Sequence, residues 1–233
     1  MDFQVVPIVT AGCNAYLVKG RRVALVDTLV PRAFGRIVKV LNENGLSVGD
    51  VEYVLITHGH FDHVGNAARI KELSGAVVVA GAADVPVIEG SEPVPPMSDL
   101  SAVGRLLGKL PDSWTRWYQK SDPVPVDRKV RGGDSIDELG LEVVGLPGHT
   151  PGGVAFYDRE GRRAFIGDLV SCLFGRCGMP TLSASRSLEE IRASQELLAG
   201  LGLDTAYPGH GRTIGPDASR VIGEFVRGRK SRA

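Results

Sequence analysis

The sequence THGHFDHVGN, residues 57–66, places three histidines and an aspartate within six consecutive positions. The chain has only five histidines among its 233 residues, so most of its imidazole groups lie in this segment. A continuous apolar run, VEYVLIT (51–57), precedes the segment and predicts a short buried strand. The end of this strand is therefore followed by four groups of the kind that bind metal ions: His58, His60, Asp62 and His63.

The side chains of this segment are expected to point at one place. In extended backbone every second side chain faces the same side, which applies here to residues 58, 60 and 62. A tight loop after the strand would direct His63 to the same point. Imidazole and carboxylate ligands suit zinc, iron and manganese. The alternative, a polar loop with chance histidines, would leave a dense patch of polar groups without partners.

The two remaining histidines also follow apolar strands. His149 lies in LPGHTPGG and His210 lies in YPGHG, each directly after Pro-Gly, and Asp168 ends the strand of FIGDLV. A single His or Asp at a strand end is usually a turn residue, but a layered α/β fold collects such strand ends along one rim. We therefore predict that His149, Asp168 and His210 complete a metal site with the 58–63 segment.

The alternation of strands and helices predicts a layered α/β fold, with one domain over residues 1–233. Helical spacing of apolar residues predicts helices within 32–45 and 65–75, each ending at a glycine. In the second half, three apolar strands are predicted between residues 141 and 170. A capped amphipathic helix follows at 187–202, and another helix is predicted near the carboxyl end.

Residues from about 85 to 126 interrupt this alternation and predict a helical insertion with proline-rich flanks. Its apolar residues at helical spacing are Leu100, Val103, Leu107 and Leu110. Pro111 ends this run, and a second short helix is expected after it. We expect the insertion to cover the metal edge and to line the substrate pocket with Leu110, Trp114 and Trp117. The alternative is a helical pair that packs on the outer layer with its aromatic residues as ordinary core.

Composition argues against several classes of partner. The formal net charge is zero and the pI is about 7.0, so no basic surface for nucleic acid is indicated. No apolar run reaches the roughly 20 residues of a membrane span. The amino-terminal segment lacks the pattern of a secretory signal. Three cysteines without a Cys-x-x-Cys pair favour a reducing compartment, so we expect a cytoplasmic protein with a small-molecule substrate.

The motifs THGHFDH, PGHTPGG, GD and PGHG, in this order, resemble those of the metallo-β-lactamase superfamily. The resemblance extends from CNAYLV to PGHG and implies a four-layer αββα sandwich with two metal ions at one edge. It implies that His58, His60 and His149 bind the first ion and that Asp62, His63 and His210 bind the second. It implies that Asp168 bridges both ions. Asp27, in ALVDT, matches a position that supports the site without binding metal, although a turn-forming role explains it equally well.

The resemblance also implies a chemistry. Two divalent ions, zinc by default with iron or manganese as alternatives, would activate a water whose hydroxide attacks an ester-like carbonyl. Asp62 would orient this hydroxide and carry its proton to the leaving group. We expect a binuclear hydrolase of thioesters first and lactones second. Two alternatives stay open: a persulfide dioxygenase with one iron on the residues matching His58, His149 and Asp168, and a non-catalytic ligand-binding or sensor protein that keeps the metal site.

Overall fold

The first of two facing sheets has six strands and is antiparallel at one side and parallel at the other. A computed structural model describes residues 3–110, 121–173 and 176–230 of the chain. The strands of the first sheet are β1 (Gln4–Val9), β2 (Asn14–Lys19), β3 (Val23–Val26), β4 (Tyr53–Ile56), β5 (Val77–Gly81) and β6 (Arg128–Val130). They lie in sequence order. The pairs β1–β2 and β2–β3 are antiparallel, and β3 to β6 pair in parallel.

The second sheet is mostly antiparallel, and a separate two-stranded sheet lies beside it. The remaining strands are β7 (Ser135–Ile136), β8 (Leu141–Gly145), β9 (Val154–Asp158), β10 (Arg163–Gly167), β11 (Ser171–Leu173), β12 (Arg176–Gly178) and β13 (Thr205–Pro208). The order in the second sheet is β13-β10-β9-β8-β7, and β11 pairs with β12. Among these described strands only β10 and β13 pair in parallel, so both strands end at the same edge.

Helices follow the strands of both halves. The described α-helices are α1 (Phe34–Glu43), α2 (Phe61–Val64), α3 (Ala67–Ser74), α4 (Val85–Ile88), α5 (Ala102–Leu107), α6 (Leu188–Ala199) and α7 (Ala218–Lys230). Single turns of 3-10 helix occur at Pro31–Ala33, Val48–Asp50 and Leu182–Ala184. The Ser187 side chain caps α6 by accepting a hydrogen bond from the Glu190 amide, as its position before an amphipathic run predicts.

Three apolar clusters arrange these elements as four layers. One cluster packs α1 and α3 on the outer face of the first sheet, and its members include Ile37, Leu41 and Ile70. A second lies between the sheets and contains Phe156 and Phe165. The third packs α6 and α7 on the second sheet. The αββα sandwich expected from the sequence is therefore confirmed.

The VEYVLIT run has apolar residues at consecutive positions because β4 is covered on both faces. Val54 and Ile56 pack under the helices of the first layer, whereas Leu55 faces the second sheet. Side chains of a strand alternate between faces, so a strand buried on both sides needs apolar residues at every position. This central strand delivers its carboxyl end, with the histidine segment behind it, to the edge of the sandwich.

The insertion agrees only partly with the sequence prediction. The helix α5 is short, and Val103 and Leu110 are 59% and 42% exposed, so their helical spacing does not mark a buried face in the described residues. Gly104 is the buried position of α5. The second predicted helix, with Trp114 and Trp117, falls at 111–120 and lies outside the described residues. A covering role for these tryptophans thus stays a prediction.

The described part of the insertion does contact the segment before α6. The Ser98 amide donates to the Ser183 carbonyl at 2.8 Å, and the Arg186 guanidinium donates to the Pro96 carbonyl at 2.9 Å. Within the part of the chain that the structure describes, no helix is both long and apolar enough to cross a membrane.

Replacing Phe156 tests the core between the sheets. Phe156 is fully buried there, so Phe156→Ala should lower the free energy of unfolding by about 3–5 kcal/mol through lost burial and the cavity it leaves. Urea unfolding in the presence of a chelator measures this change without a contribution from metal binding. Leu197→Ala on α6, where the side chain is 49% exposed, is the control and should change stability by less than about 0.5 kcal/mol. Equal effects of the two substitutions would contradict the layer assignment.

Candidate metal centre

Seven polar side chains gather at the edge where four strands end. They follow the carboxyl ends of β4, β8, β10 and β13, which the topology brings to one rim. Their ligand atoms form three groups whose members lie within 4.8 Å of one another. The groups are His58, His60 and His149; His58, His63 and Asp168; and Asp62, His63 and His210. The structure thus brings together every residue that the sequence analysis named as a metal ligand.

The local conformation of the histidine segment differs from the extended loop that was expected. Backbone is extended only as far as His60, with φ −79° and ψ 150°, and α2 begins at Phe61. Asp62 and His63 therefore lie on a helical turn, and the alternation rule does not apply to Asp62. The prediction of convergence was correct, but its geometric reason was wrong for this residue.

Asp168 lies at the centre of the group. Its Oδ2 atom is 2.9 Å from His210 Nε2, 3.4 Å from His149 Nε2 and 3.9 Å from His58 Nε2. Its Oδ1 atom is 3.2 Å from His63 Nε2. A single buried carboxylate thus faces four imidazoles, two with ligand atoms in one predicted ion site and two in the other.

Hydrogen bonds at Nδ1 determine that His149 and His58 direct Nε2 toward the cluster. The Ser185 hydroxyl donates to the Thr181 carbonyl, so it accepts from His149 Nδ1 at 2.8 Å. The Thr57 hydroxyl donates to Asp27 and therefore accepts from His58 Nδ1 at 3.1 Å. Such bonds make Nε2 the nitrogen that each ring can offer to a metal; without metal, His149 Nε2 has no partner and His58 Nε2 accepts from His60 Nδ1 at 3.1 Å.

The second group of histidines follows the same arrangement. His63 Nδ1 donates to Asp27 Oδ2 at 2.8 Å, and His210 Nδ1 donates to the Gly12 carbonyl. Their Nε2 atoms face the centre of the cluster. The Asp27 carboxylate also accepts from the Thr57 amide at 2.8 Å. Asp27 has left-handed backbone with φ 58°, and its carboxylate supports the site through His63 and Thr57 without belonging to the three ligand groups.

Unpartnered buried atoms show that the cluster fits a metal ion. Among the described residues, His63 Nε2, His149 Nε2 and Asp168 Oδ1 are buried and make no hydrogen bond. Leaving such groups without partners is unfavourable, and a bound cation would satisfy all three. Imidazole nitrogens and carboxylate oxygens also form the donor set that zinc, iron and manganese accept.

Burial and neighbouring charges set the ionisation of these groups in the metal-free protein. Burial lowers the pKa of His60 to about 3, with a further contribution from His149, so this ring is neutral as a ligand must be. Burial opposes protonation of His210 too, but Asp168 and Asp62 outweigh it and raise the pKa of His210 to about 10. Burial likewise opposes the charge of Asp168, yet the surrounding histidines hold the pKa of Asp168 well below its usual range.

Asp84 is a supporting residue that the sequence analysis missed. It follows β5 and is 3% exposed. Its Oδ2 accepts from the Gly59 amide at 2.8 Å and from the Thr150 hydroxyl at 2.6 Å, and its Oδ1 accepts from the Gly152 amide at 2.7 Å. One carboxylate thus joins the loop of His58 and His60 to the loop of His149. Its only sequence signal is an isolated Asp just past an apolar strand, which is also a common turn signal.

The first glycine of PGHG, Gly209, is required for a steric reason. A Cβ atom at Gly209 would lie 2.2 Å from Asp168 Oδ1 and 2.5 Å from His63 Cε1. Real Cβ atoms do not approach so closely, so a larger residue would displace two members of the cluster. The motif that carries His210 therefore needs Gly209 in order to approach the other two side chains.

Replacing Asp84 tests its supporting role. Asp84→Asn should lower the affinity of the His58, His60 and His149 group for metal by about 10- to 100-fold. The Asn side chain has one oxygen that accepts hydrogen bonds, whereas both carboxylate oxygens of Asp84 accept them. Calorimetric titration of the apo protein with Zn²⁺ measures the affinity, and circular dichroism checks the fold. Asp137→Asn, at an exposed turn next to Ser135, is the control and should bind Zn²⁺ like the unchanged protein. Unchanged affinity in Asp84→Asn would refute the role.

Comparison with known proteins places this geometry in a family. The family model described as the metallo-beta-lactamase superfamily matches residues 9–210. Hydroxyacylglutathione hydrolase GloC of Haemophilus influenzae is 25% identical over 172 residues, or 73% of this chain and 72% of that protein. The probable metallo-hydrolase MJ0888 of Methanocaldococcus jannaschii is 24% identical over 200 residues, or 85% and 87% of the two chains.

Solved structures agree with the sequence match. The metallo-beta-lactamase family protein TTHA1429 of Thermus thermophilus has a TM-score of 0.76 at 26% identity, covering 99% of this chain and 80% of that one. The protein TTHA1623, solved in a di-iron-bound form, has a TM-score of 0.67 at 28% identity, covering 95% and 99%. The chain therefore belongs to the metallo-β-lactamase superfamily.

Proposed function

We propose that this protein is a binuclear metal-dependent hydrolase of ester-like carbonyl compounds, with thioesters as the first candidates and lactones as the second. The observation that carries the proposal is the convergence of seven metal-binding side chains on one edge, with unsatisfied buried atoms at their centre. Family membership agrees, since relatives of the chain are described as metallo-hydrolases. We expect the substrate to be a small molecule, since the formal net charge of zero indicates no basic surface for nucleic acid.

The residues divide into two sets around a shared carboxylate. His58, His60 and His149 would hold one ion; Asp62, His63 and His210 would hold the other, with Asp168 between them. When bound, two divalent ions polarise a carbonyl group and lower the pKa of water toward neutrality. Zinc is the default ion, and the di-iron neighbour supports iron as the alternative.

Asp62 is the side chain whose position suits it to accept and transfer a proton. It is 18% exposed, unlike the more deeply buried Asp168, and its Oδ2 lies 3.4 Å from His210 Nε2. Burial opposes its ionisation, but His63 and His210 outweigh burial and lower the pKa of Asp62. It therefore stays an acceptor near neutral pH. At this position the carboxylate would orient the attacking water, take its proton at Oδ2 and transfer it to the leaving group.

Other nucleophiles are disfavoured. All five histidines belong to the cluster, so none is free to act as the base of a Ser-His-Asp triad. A cysteine nucleophile needs a thiolate. Burial, together with the neighbouring Cys172, raises the pKa of Cys177 to about 12, which keeps this thiol protonated at neutral pH.

The choice of thioesters rests on the relatives. Two of them are described as hydroxyacylglutathione hydrolases, from Haemophilus influenzae and Hyphomonas neptunium, and the second is 30% identical over 120 residues, which is 50% of this chain and 33% of that protein. The alternatives are a mononuclear iron dioxygenase and a binding protein without activity. Metal stoichiometry separates the first of these from the proposal, and turnover separates the second.

Metal titration should show two ions per chain. Zn²⁺ added to the apo protein at pH 7 is expected to saturate at two equivalents and to release protons, because ligation needs neutral imidazole and His210, with a pKa of about 10, is protonated beforehand. Apparent affinity should accordingly rise as the pH increases from about 6 to about 9. Calorimetry in buffers of different ionisation enthalpy counts the protons. Saturation at one equivalent would contradict the binuclear assignment.

Asp168→Ala should abolish hydrolysis and keep the fold. The purified metal-loaded protein is first screened with acyl thioesters and lactones, and turnover of a thioester is expected. In Asp168→Ala, kcat/KM should fall by roughly 100-fold or more because the ions lose their shared ligand. Glu142→Gln, at an exposed ion pair with Arg159, is the control and should keep full activity. Normal turnover with two ions bound in Asp168→Ala would refute the bridging role.

A further inference from the structure

A pocket of about 510 Å³ opens beside the metal centre. Asp168 and His210 form part of its wall, so a ligand in the pocket would lie against the proposed ions. The loop between β1 and β2 forms one side, and the segment after β12 forms another. Its volume is in the range of sites that take small molecules. Much of the wall is apolar, including Val9, Met179 and Pro180.

Arg212 is the basic residue of this pocket. It follows His210 by two positions, lies at the pocket wall and is exposed. Within residues 3–110, 121–173 and 176–230, its guanidinium makes no ion pair or hydrogen bond. Several exposed arginines elsewhere pair with carboxylates, for example Arg159 with Glu142 and Arg220 with Asp217. Among the described residues, the only acidic side chain of the pocket wall is Asp168, which the histidines already surround.

The backbone holds Arg212 in a fixed position relative to the metal centre. Its amide donates to the Cys172 carbonyl at 2.8 Å, and the Cys172 amide donates to the His210 carbonyl at 3.3 Å. Gly211 between them has φ 89°, and a Cβ atom there would lie 2.1 Å from the Cys172 carbonyl oxygen. The strand β11 and the 210–212 segment are thus in close contact. The backbone of Arg212 is therefore anchored by hydrogen bonds close to the proposed ions.

We propose that Arg212 binds a carboxylate of the substrate, and that the preferred substrates are thioesters carrying such a group on the part that occupies this pocket. This inference rests on the proposed function. A guanidinium pairs with a carboxylate through two parallel hydrogen bonds, which orients the ligand as well as attracting it. The apolar wall then accepts the carbon chain between the carboxylate and the reacting carbonyl.

Matched thioester pairs test the inference on both halves of the substrate. The first pair is S-succinyl- and S-butyryl-N-acetylcysteamine, which differ by a carboxylate on the acyl half. The second pair is S-butyryl-3-mercaptopropionate and its methylamide, which differ on the thiol half. In Arg212→Met, kcat/KM should fall roughly 10- to 100-fold for the charged member of at least one pair and less than about 3-fold for its neutral partner. The pair that responds identifies the half in the pocket.

Two further variants control for charge and for folding. Arg192→Met removes an exposed arginine from α6, outside the pocket, and should leave both pairs unchanged. Arg212→Lys should restore part of the preference for the charged member, because a single positive charge remains. Equal losses for charged and neutral members in Arg212→Met would overturn the inference.

A binding measurement separates this inference from the proposed hydrolase activity. The amide analogues of all four thioesters are not expected to turn over, and calorimetry with metal-loaded protein gives their affinities. If the unchanged protein hydrolyses none of the thioesters, the assignment as a thioesterase fails, but weaker binding of a charged amide to Arg212→Met would still support the carboxylate site. Equal affinity of charged and neutral amides for the unchanged protein would exclude it.

Discussion

The buried carboxylate of Asp168 is the constraint on which the rest of this structure depends. It lies at the end of β10 with four imidazoles around it, and it is 6% exposed. An isolated charge in such a place would be strongly unfavourable, so its neighbours must compensate it. In the metal-free protein, protonated histidines do this. Metal ions would replace those protons, because ligation requires neutral rings.

Hydrogen bonds around the cluster also join the two sheets. The Asp84 carboxylate, after β5 of the first sheet, binds the loop that precedes β9 of the second. The Asn14 side chain and the Tyr16 hydroxyl of β2 both donate to the Pro208 carbonyl at the end of β13. The metal centre therefore lies across the seam between the sheets. Metal binding should stabilise the sandwich as a whole, since binding to the native state alone adds stability.

The same architecture separates the shared chemistry from substrate selection. Ligands and their supports come from strand ends and from the turns immediately after them, which the layers hold rigidly. The pocket beside them is lined largely by residues that are not ligands, from the β1–β2 loop and near the two-stranded sheet, and the Gly12 carbonyl of that loop accepts from His210. A superfold hosts many functions because such loops vary while the site geometry does not. Arg212 lies in the wall of this pocket and outside the ligand set, although it is only two residues from His210.

The sequence alone determined the layered fold, and it identified the seven residues that the structure brings together as candidate ligands. Ligand residues are recognisable because imidazole and carboxylate groups crowd after apolar strands, and the period of the apolar residues identifies β4, α1 and α6 without a structure. Tertiary structure alone decided what lies behind the ligands. Asp84, Ser185 and the Gly12 carbonyl act on residues 25 to 198 positions away, and no local pattern encodes such pairings. Likewise, only the structure shows that Cys172 and Cys177 face each other across β11 and β12. Strands this short have too few residues to show a period in the sequence. The helical turn that carries Asp62 begins directly after His60 and places His63 against Asp27, 36 positions away, which residue order does not reveal.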